Sequence, residues 1–193
     1  MININIRNMK NILFIVIVLF TFSFNLFSQN KNHDSICEDA IYVKTDDYEG
    51  VILGPKCFNY KSIIRLENGD TIPGPPPSEN MWKPSIKDVE YAEKKIKKYV
   101  TKKSKRMLEG GQGYERYPII YQNFDKYVRQ YYGIYNEKGE KILMVDFLWR
   151  EDAYEIGWKC ARIMIADGGS FFWHISVNMK KKKCFNYRVN GIG

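Results

Sequence analysis

Two histidines, four cysteines and a run of four lysines carry most of the chemistry open to this 193-residue chain. His174 lies in FFWHISV. Strand alternation puts it on one face with Phe172 and Ser176, opposite Trp173 and Ile175. To act as a general base it needs a partner within hydrogen-bond reach, and Cys160, Asp146 and Tyr132 are the candidates. A Cys160–His174 dyad would require a hairpin that opposes them. Counting from Asp167-Gly168-Gly169 sets residue 162, not 160, opposite His174. Asp146 is an acid inside the apolar run ILMVDFLW. It reads either as an exposed residue paired with Gln130 or Arg129, or as a pocket carboxylate. Asp146 and His174 are therefore pocket candidates, and no catalytic residue is assigned.

Lys180, Lys181, Lys182 and Lys183 sit at an expected hairpin tip. They form a solvated turn or a binding site for an anionic glycan or lipid. No RNA-binding aromatic motif accompanies them, so no nucleic-acid partner is expected. No CxxC occurs, and two histidines give poor support to a zinc site. Glu151, Asp152 and Glu155 lack the alternating spacing of a calcium loop. Asp167-Gly168-Gly169 is followed by no GKS/T and so is no phosphate cradle. Neither metal nor cofactor is expected.

The first 29 residues set the compartment. Arg7 and Lys10 precede the apolar run ILFIVIVLF, which tapers into TFSFNLFSQN. That is the pattern of a signal peptide, with cleavage near Ser28–Gln29. The uncharged stretch from Asn11 to Asn30 could also be retained as an anchor, but no basic stop-transfer cluster follows it. After cleavage no stable membrane anchor is expected. The protein is then periplasmic or extracellular, with about 165 residues in a single domain. The net charge of +8 includes Arg7 and Lys10, and the excess favours anionic partners at long range.

An exported chain is permitted disulfides, and four cysteines allow three pairings. Cys37–Cys57 is sterically open. Cys160 and Cys184 fall two strands apart in the expected meander, near 10 Å at about 4.8 Å per strand. A disulfide needs α-carbons within about 7 Å, so that pair is disfavoured.

The elements that must position these residues follow from pattern. Residues 30–39 read as a flexible lead and 40–193 as one domain. IYVKT, YEGVILG and FNYKSIIRLENGDT are β-like, and a Pro-rich connector covers 73–80. Ser85, with Asp88 three residues on, caps a helix to about Arg106. Its apolar stripe is Ile86, Val89, Ala92, Ile96, Tyr99 and Val100. Glu90–Lys94 and Glu93–Lys97 mark its wet side. YVRQYYGIY and EKILMVDFLW flank Asn136-Glu137-Lys138-Gly139, a three-residue hairpin loop that pairs Gln130 with Asp146 and Tyr132 with Met144. A two-residue loop would instead oppose Arg129 to Asp146. A second hairpin is expected between Trp158–Ala166 and Ser170–Asn178, with Lys183–Val189 last. The fold class is α+β: one long amphipathic helix packed on a curved antiparallel meander of about four strands, with short β segments before the helix.

The stretches WKPS through AEKKIKKYV, RQYYGIYNEKGEKILMVDF, DGGSFFWHISVNM and VNGIG resemble a set of small exported bacterial proteins of unknown function. The helix-plus-meander order is similar to cystatin-like and NTF2-like architectures. Gln130-Tyr131-Tyr132-Gly133 does not match the Gln-x-Val-x-Gly loop of cystatins, so protease inhibition is carried over to no residue. The expected function is a non-catalytic exported domain that binds an unknown protein or an anionic envelope component. A small secreted hydrolase and a structural envelope protein are the alternatives.

Overall fold

The long helix, α1 (Ile86–Glu109), starts where the capping pattern places it. Ser85 Oγ donates to Asp88 Oδ2 at 2.6 Å, and the Asp88 N–H donates back to Ser85 Oγ. Val89, Ala92, Ile96 and Val100 are fully buried along its inner face. Ile86 is exposed, and Glu93, expected on the wet side, is buried.

In this computed structural model the described residues are 37–58, 64–65, 71–72, 78–109, 117–165 and 167–191. The expected signal peptide, the first residues of the lead and the proline run 73–77 lie outside them. The strands are β1 (Ala40–Lys44), β2 (Glu49–Leu53), β3 (Ile64–Arg65), β4 (Thr71–Ile72), β5 (Met81–Trp82), β6 (Tyr127–Tyr135), β7 (Lys141–Trp149), β8 (Phe172–Asn178) and β9 (Lys183–Val189). A short helix, α2 (Arg150–Glu155), follows β7 directly.

The expected helix on a four-strand antiparallel meander is overturned. The sheet is seven-stranded and mixed, in the order β1-β2-β6-β7-β8-β9, with β5 also on β6. The β1–β2 hairpin joins it through a parallel β2–β6 pair, Glu49 opposite Val128 to Ile52 opposite Tyr131. A parallel pair needs a long crossover, here the whole chain between β2 and β6, and leaves no local trace in sequence. β5 continues the same edge of β6, Trp82 opposite Gly133. A Cβ at Gly133 would lie 2.4 Å from Trp82, so glycine lets the indole cross the strand. β3 and β4 form a separate two-stranded ribbon.

The β6–β7 hairpin has the three-residue loop. Asn136 N–H donates to Glu140 O, and Gly139 closes the turn at φ 67°. Gln130 faces Asp146 and Tyr132 faces Met144, as that loop requires. The second expected hairpin does not form. Over its described residues, 158–165 is turn and irregular backbone, and β8 pairs with β7 instead. The sheet therefore has two covers. Helix α1 packs over Tyr131, Leu143, Val145, Phe147, Trp173 and Ile175. On the other face, α2 and the loop after it pack over Val128, Tyr132, Leu148 and Phe172.

Candidate functional site

Directly opposed residues in antiparallel strands carry Cβ atoms about 5 Å apart. The absence of the expected strand over 158–165 therefore matters chemically. It makes β7 and β8 neighbours and sets Asp146 opposite His174. Gln130 precedes them on β6 and Arg188 follows on β9, so a polar row Gln130–Asp146–His174–Arg188 crosses four strands.

Gln130 explains why residues 158–165 are a loop. Its Nε2 donates to the carbonyls of Trp158 and Ala161 at 2.5 and 2.7 Å, and its Oε1 accepts from the Ile163 N–H at 2.7 Å. One buried side chain thus satisfies backbone groups that a ladder would otherwise pair. Asn190 holds the far end of the loop through the Ile165 carbonyl. Between these two clamps the loop delivers Arg162. Its Nε donates to Asp146 Oδ2 at 2.8 Å, and its guanidinium lies 4.8 Å above the Tyr132 ring. Counting along the expected hairpin put residue 162 opposite His174. Residue 162 does reach the site, but from a loop.

Between the loop and the sheet lies a cleft of ≈ 280 Å³. Ile163, Met164, Ile165 and Phe172 supply apolar wall, and Asp146, Arg162, His174 and Asn190 supply the polar groups. Burial pushes His174 below the usual histidine range. Asp146 pulls it up, and Arg162 and Arg188 push it down again. A half-buried imidazole held mostly neutral at pH 7 can accept or donate one hydrogen bond. Among the described residues no serine triad is built on it: Ser176, on the same face, is buried, and its Oγ donates to Met144 Sδ at 3.3 Å.

The lysine turn is elsewhere. His174 and Asn178 are four residues apart on β8, about 13 Å at 3.3 Å per residue. Lys181 Nζ lies 3.2 Å from Glu140 Oε2, in the turn beyond β6. Lys182 adopts φ 56° and places Nζ 6.0 Å from the Tyr91 ring of α1. Lys95 lies 5.5 Å from the same ring, so helix and turn pool their lysines, which sequence reading did not connect.

Among the described residues, no group of three or more His, Cys, Asp or Glu is placed to hold a metal ion, and no helix is long and apolar enough to cross a membrane. No protein-family model, curated protein or solved structure matches the chain.

Proposed function

We propose that this chain is an exported, non-catalytic binding domain whose cleft takes a small organic acid. The acidic group would face His174 and Arg188, and the apolar body would lie against Met164, Ile165 and Phe172. The observation that carries this reading is the half-apolar cleft itself, with His174, Arg162 and Asn190 as hydrogen-bonding groups on its polar wall. Within the lining Asp146 is matched by Arg162, and exposed Arg188, opposite His174 on β9, adds a cation beside the cleft. The described lining holds no serine, threonine, cysteine, lysine or tyrosine, which favours binding over nucleophilic catalysis. Calorimetric titration with an arylacetate and its neutral amide tests this. The acid should bind and the amide should not, and His174→Leu with Arg188→Gln should weaken binding at least about tenfold, one ion-assisted hydrogen bond's worth. Equal binding of acid and amide would defeat the reading.

A hydrolase reading has one observation in its favour, the direct opposition of Asp146 and His174. Such a pair could activate water without a protein nucleophile. Turnover of a chromogenic ester that disappears in His174→Ala would replace the binding reading.

The lysine turn supports a second contact, with an anionic envelope component. Lys180 to Lys183 are all exposed, and Lys95 and Lys182 share one tyrosine ring. Sedimentation with anionic vesicles should fall when all four are changed to Gln, and should fall with salt, because exposed charges are screened over about 8 Å.

A further inference from the structure

Three of the four cysteines meet on the loop-covered side of the sheet. The Gly54 N–H donates to Asp39 O at 2.9 Å and extends the β1–β2 ladder past its last pair. Beyond that bond each strand closes a turn: Ala40 N–H donates to Cys37 O, and Cys57 N–H donates to Gly54 O, both at 2.9 Å. The two turns fold their cysteines together and leave Cys37 and Cys57 sulfurs 2.8 Å apart. Cys160, in the turn after α2, lies close enough to Cys37 for the two thiols to interact. Cys57 is buried, Cys37 half-buried and Cys160 exposed, so the three thiols run from core to solvent with Cys37 in the middle. Cys184 stands apart on β9, packed against the α1 side.

We propose that Cys37, Cys57 and Cys160 form a thiol–disulfide exchange site in which Cys37 bonds first to exposed Cys160 and then to buried Cys57. The oxidant is an external disulfide, such as glutathione disulfide. The Cys160 thiolate attacks it, forming one mixed S–S bond and releasing one thiolate. The Cys37 thiolate attacks the Cys160 sulfur and displaces the second external thiolate. The Cys57 thiolate then attacks Cys37 and releases Cys160. In sum, Cys37 and Cys57 lose two protons and two electrons, the external disulfide becomes two thiols, and Cys160 is regenerated. Burial, reinforced by Cys37, pushes the Cys57 thiol up to about 12. A thiol of that basicity is rarely ionised at neutral pH and leaves poorly, so the last exchange is the slow one and the inner bond, once formed, resists reopening by loss of Cys57.

Incubating the reduced full chain in glutathione buffers, quenching with iodoacetamide and mapping peptides by mass spectrometry tests the site. Oxidised wild type should yield a Cys37–Cys57 link with Cys160 and Cys184 alkylated. Its Tm should rise by roughly 5–10 °C, the effect of closing a loop of this length in a domain of this size. Cys57→Ser should accumulate a Cys37–Cys160 link. Cys160→Ser, an exposed change that leaves the core alone, should reach the wild-type link about tenfold more slowly, because the relay is lost. Cys37 that stays alkylatable in oxidised wild type, or a dominant link through Cys184, would overturn the site. An unchanged rate in Cys160→Ser would overturn the relay.

Discussion

The rows Arg129–Phe147–Trp173–Val189 and Gln130–Asp146–His174–Arg188 run across the same four strands, one residue apart. The pleat sends them to opposite faces. In the first row Phe147 and Trp173 stack at 3.6 Å, and the Arg129 guanidinium lies 4.8 Å from Phe124 and 5.2 Å from Phe147. Helix α1 closes over it and its ion pair, Arg129 with Glu93 at 3.6 Å, is dry. In the second row the cover is a loop held by side chains, and its ion pair, Arg162 with Asp146, lines a cleft. A helix cover satisfies its own backbone and can seal a face. A loop cover must borrow polar side chains from the sheet, and those side chains are then available to a ligand. The contrast divides the sheet into a face that holds the fold and a face that can do chemistry.

The largest expected effects lie on the sealed face. Arg129→Ala should cost about 3–5 kcal/mol by urea denaturation, because it leaves buried Glu93 without its ion-pair partner. Glu93 gives the loss a pH signature. Burial already raises its carboxyl above the ordinary 4.5, with Arg129 and the Tyr131 hydroxyl pulling it back. An acid whose folded-state pKa is raised contributes stability below its unfolded pKa and loses it as pH rises. The deficit of Arg129→Ala should therefore shrink as pH falls from 7 toward 4.5. A deficit independent of pH would mean that Glu93 does not carry it. Next in size is Ile96→Ala, a fully buried side chain of α1. It should cost about 2–5 kcal/mol, against nearly nothing for exposed Lys94→Ala. Equal effects would break the picture of α1 as a seal.

How far this division was legible depended on the range of the signal. Ser85 and Asp88 are three residues apart and marked the helix start. Asn136 and Gly139 fixed the β6–β7 register, and with it Gln130 opposite Asp146. Alternation alone placed His174 with Phe172 and Ser176. The parallel β2–β6 pair joins segments more than seventy residues apart, and no local pattern encodes it. The apolar segment 158–165 has strand composition, yet Gln130 captures its backbone, a tertiary contact that propensity does not contain. That error hid the adjacency of Asp146 and His174. Glu93 looked like half of a surface i,i+4 pair with Lys97, but its buried partner sits 36 residues away at Arg129.

On the loop-covered face the test is Gln130→Leu. It keeps the volume and removes the three hydrogen bonds to Trp158, Ala161 and Ile163. The expected cost is about 1–3 kcal/mol, that of leaving buried backbone groups unpaired. Amide exchange should rise selectively at 158–165 while α1 stays protected, since local openings need not unfold the whole domain. Uniform acceleration would show that the two covers are one cooperative unit and would erase the distinction between the faces.

The smallest effect concerns the end of the same polar face, where Asn178 follows His174 and Ser176 along β8. Glu140 accepts from the Asn178 amide at 2.9 Å and the Asn136 amide at 3.1 Å, with Lys181 at 3.2 Å. These partners, Asn178 foremost, hold its carboxyl down at about 2. An acid with a depressed folded-state pKa contributes stability above its unfolded pKa and loses it as pH falls through the folded value. The Tm advantage of wild type over Glu140→Gln should therefore be full at pH 7 and fade between about 4.5 and 2. Two of the three partners are neutral amides, which salt does not screen. Raising the salt should remove only the Lys181 share, and Lys181→Gln should remove no more than that. An advantage abolished by salt would make this corner an ordinary surface ion pair. One that survives salt but not acid would show that the polar face is built from fixed amides, as Gln130 and Asn190 already build it around the cleft.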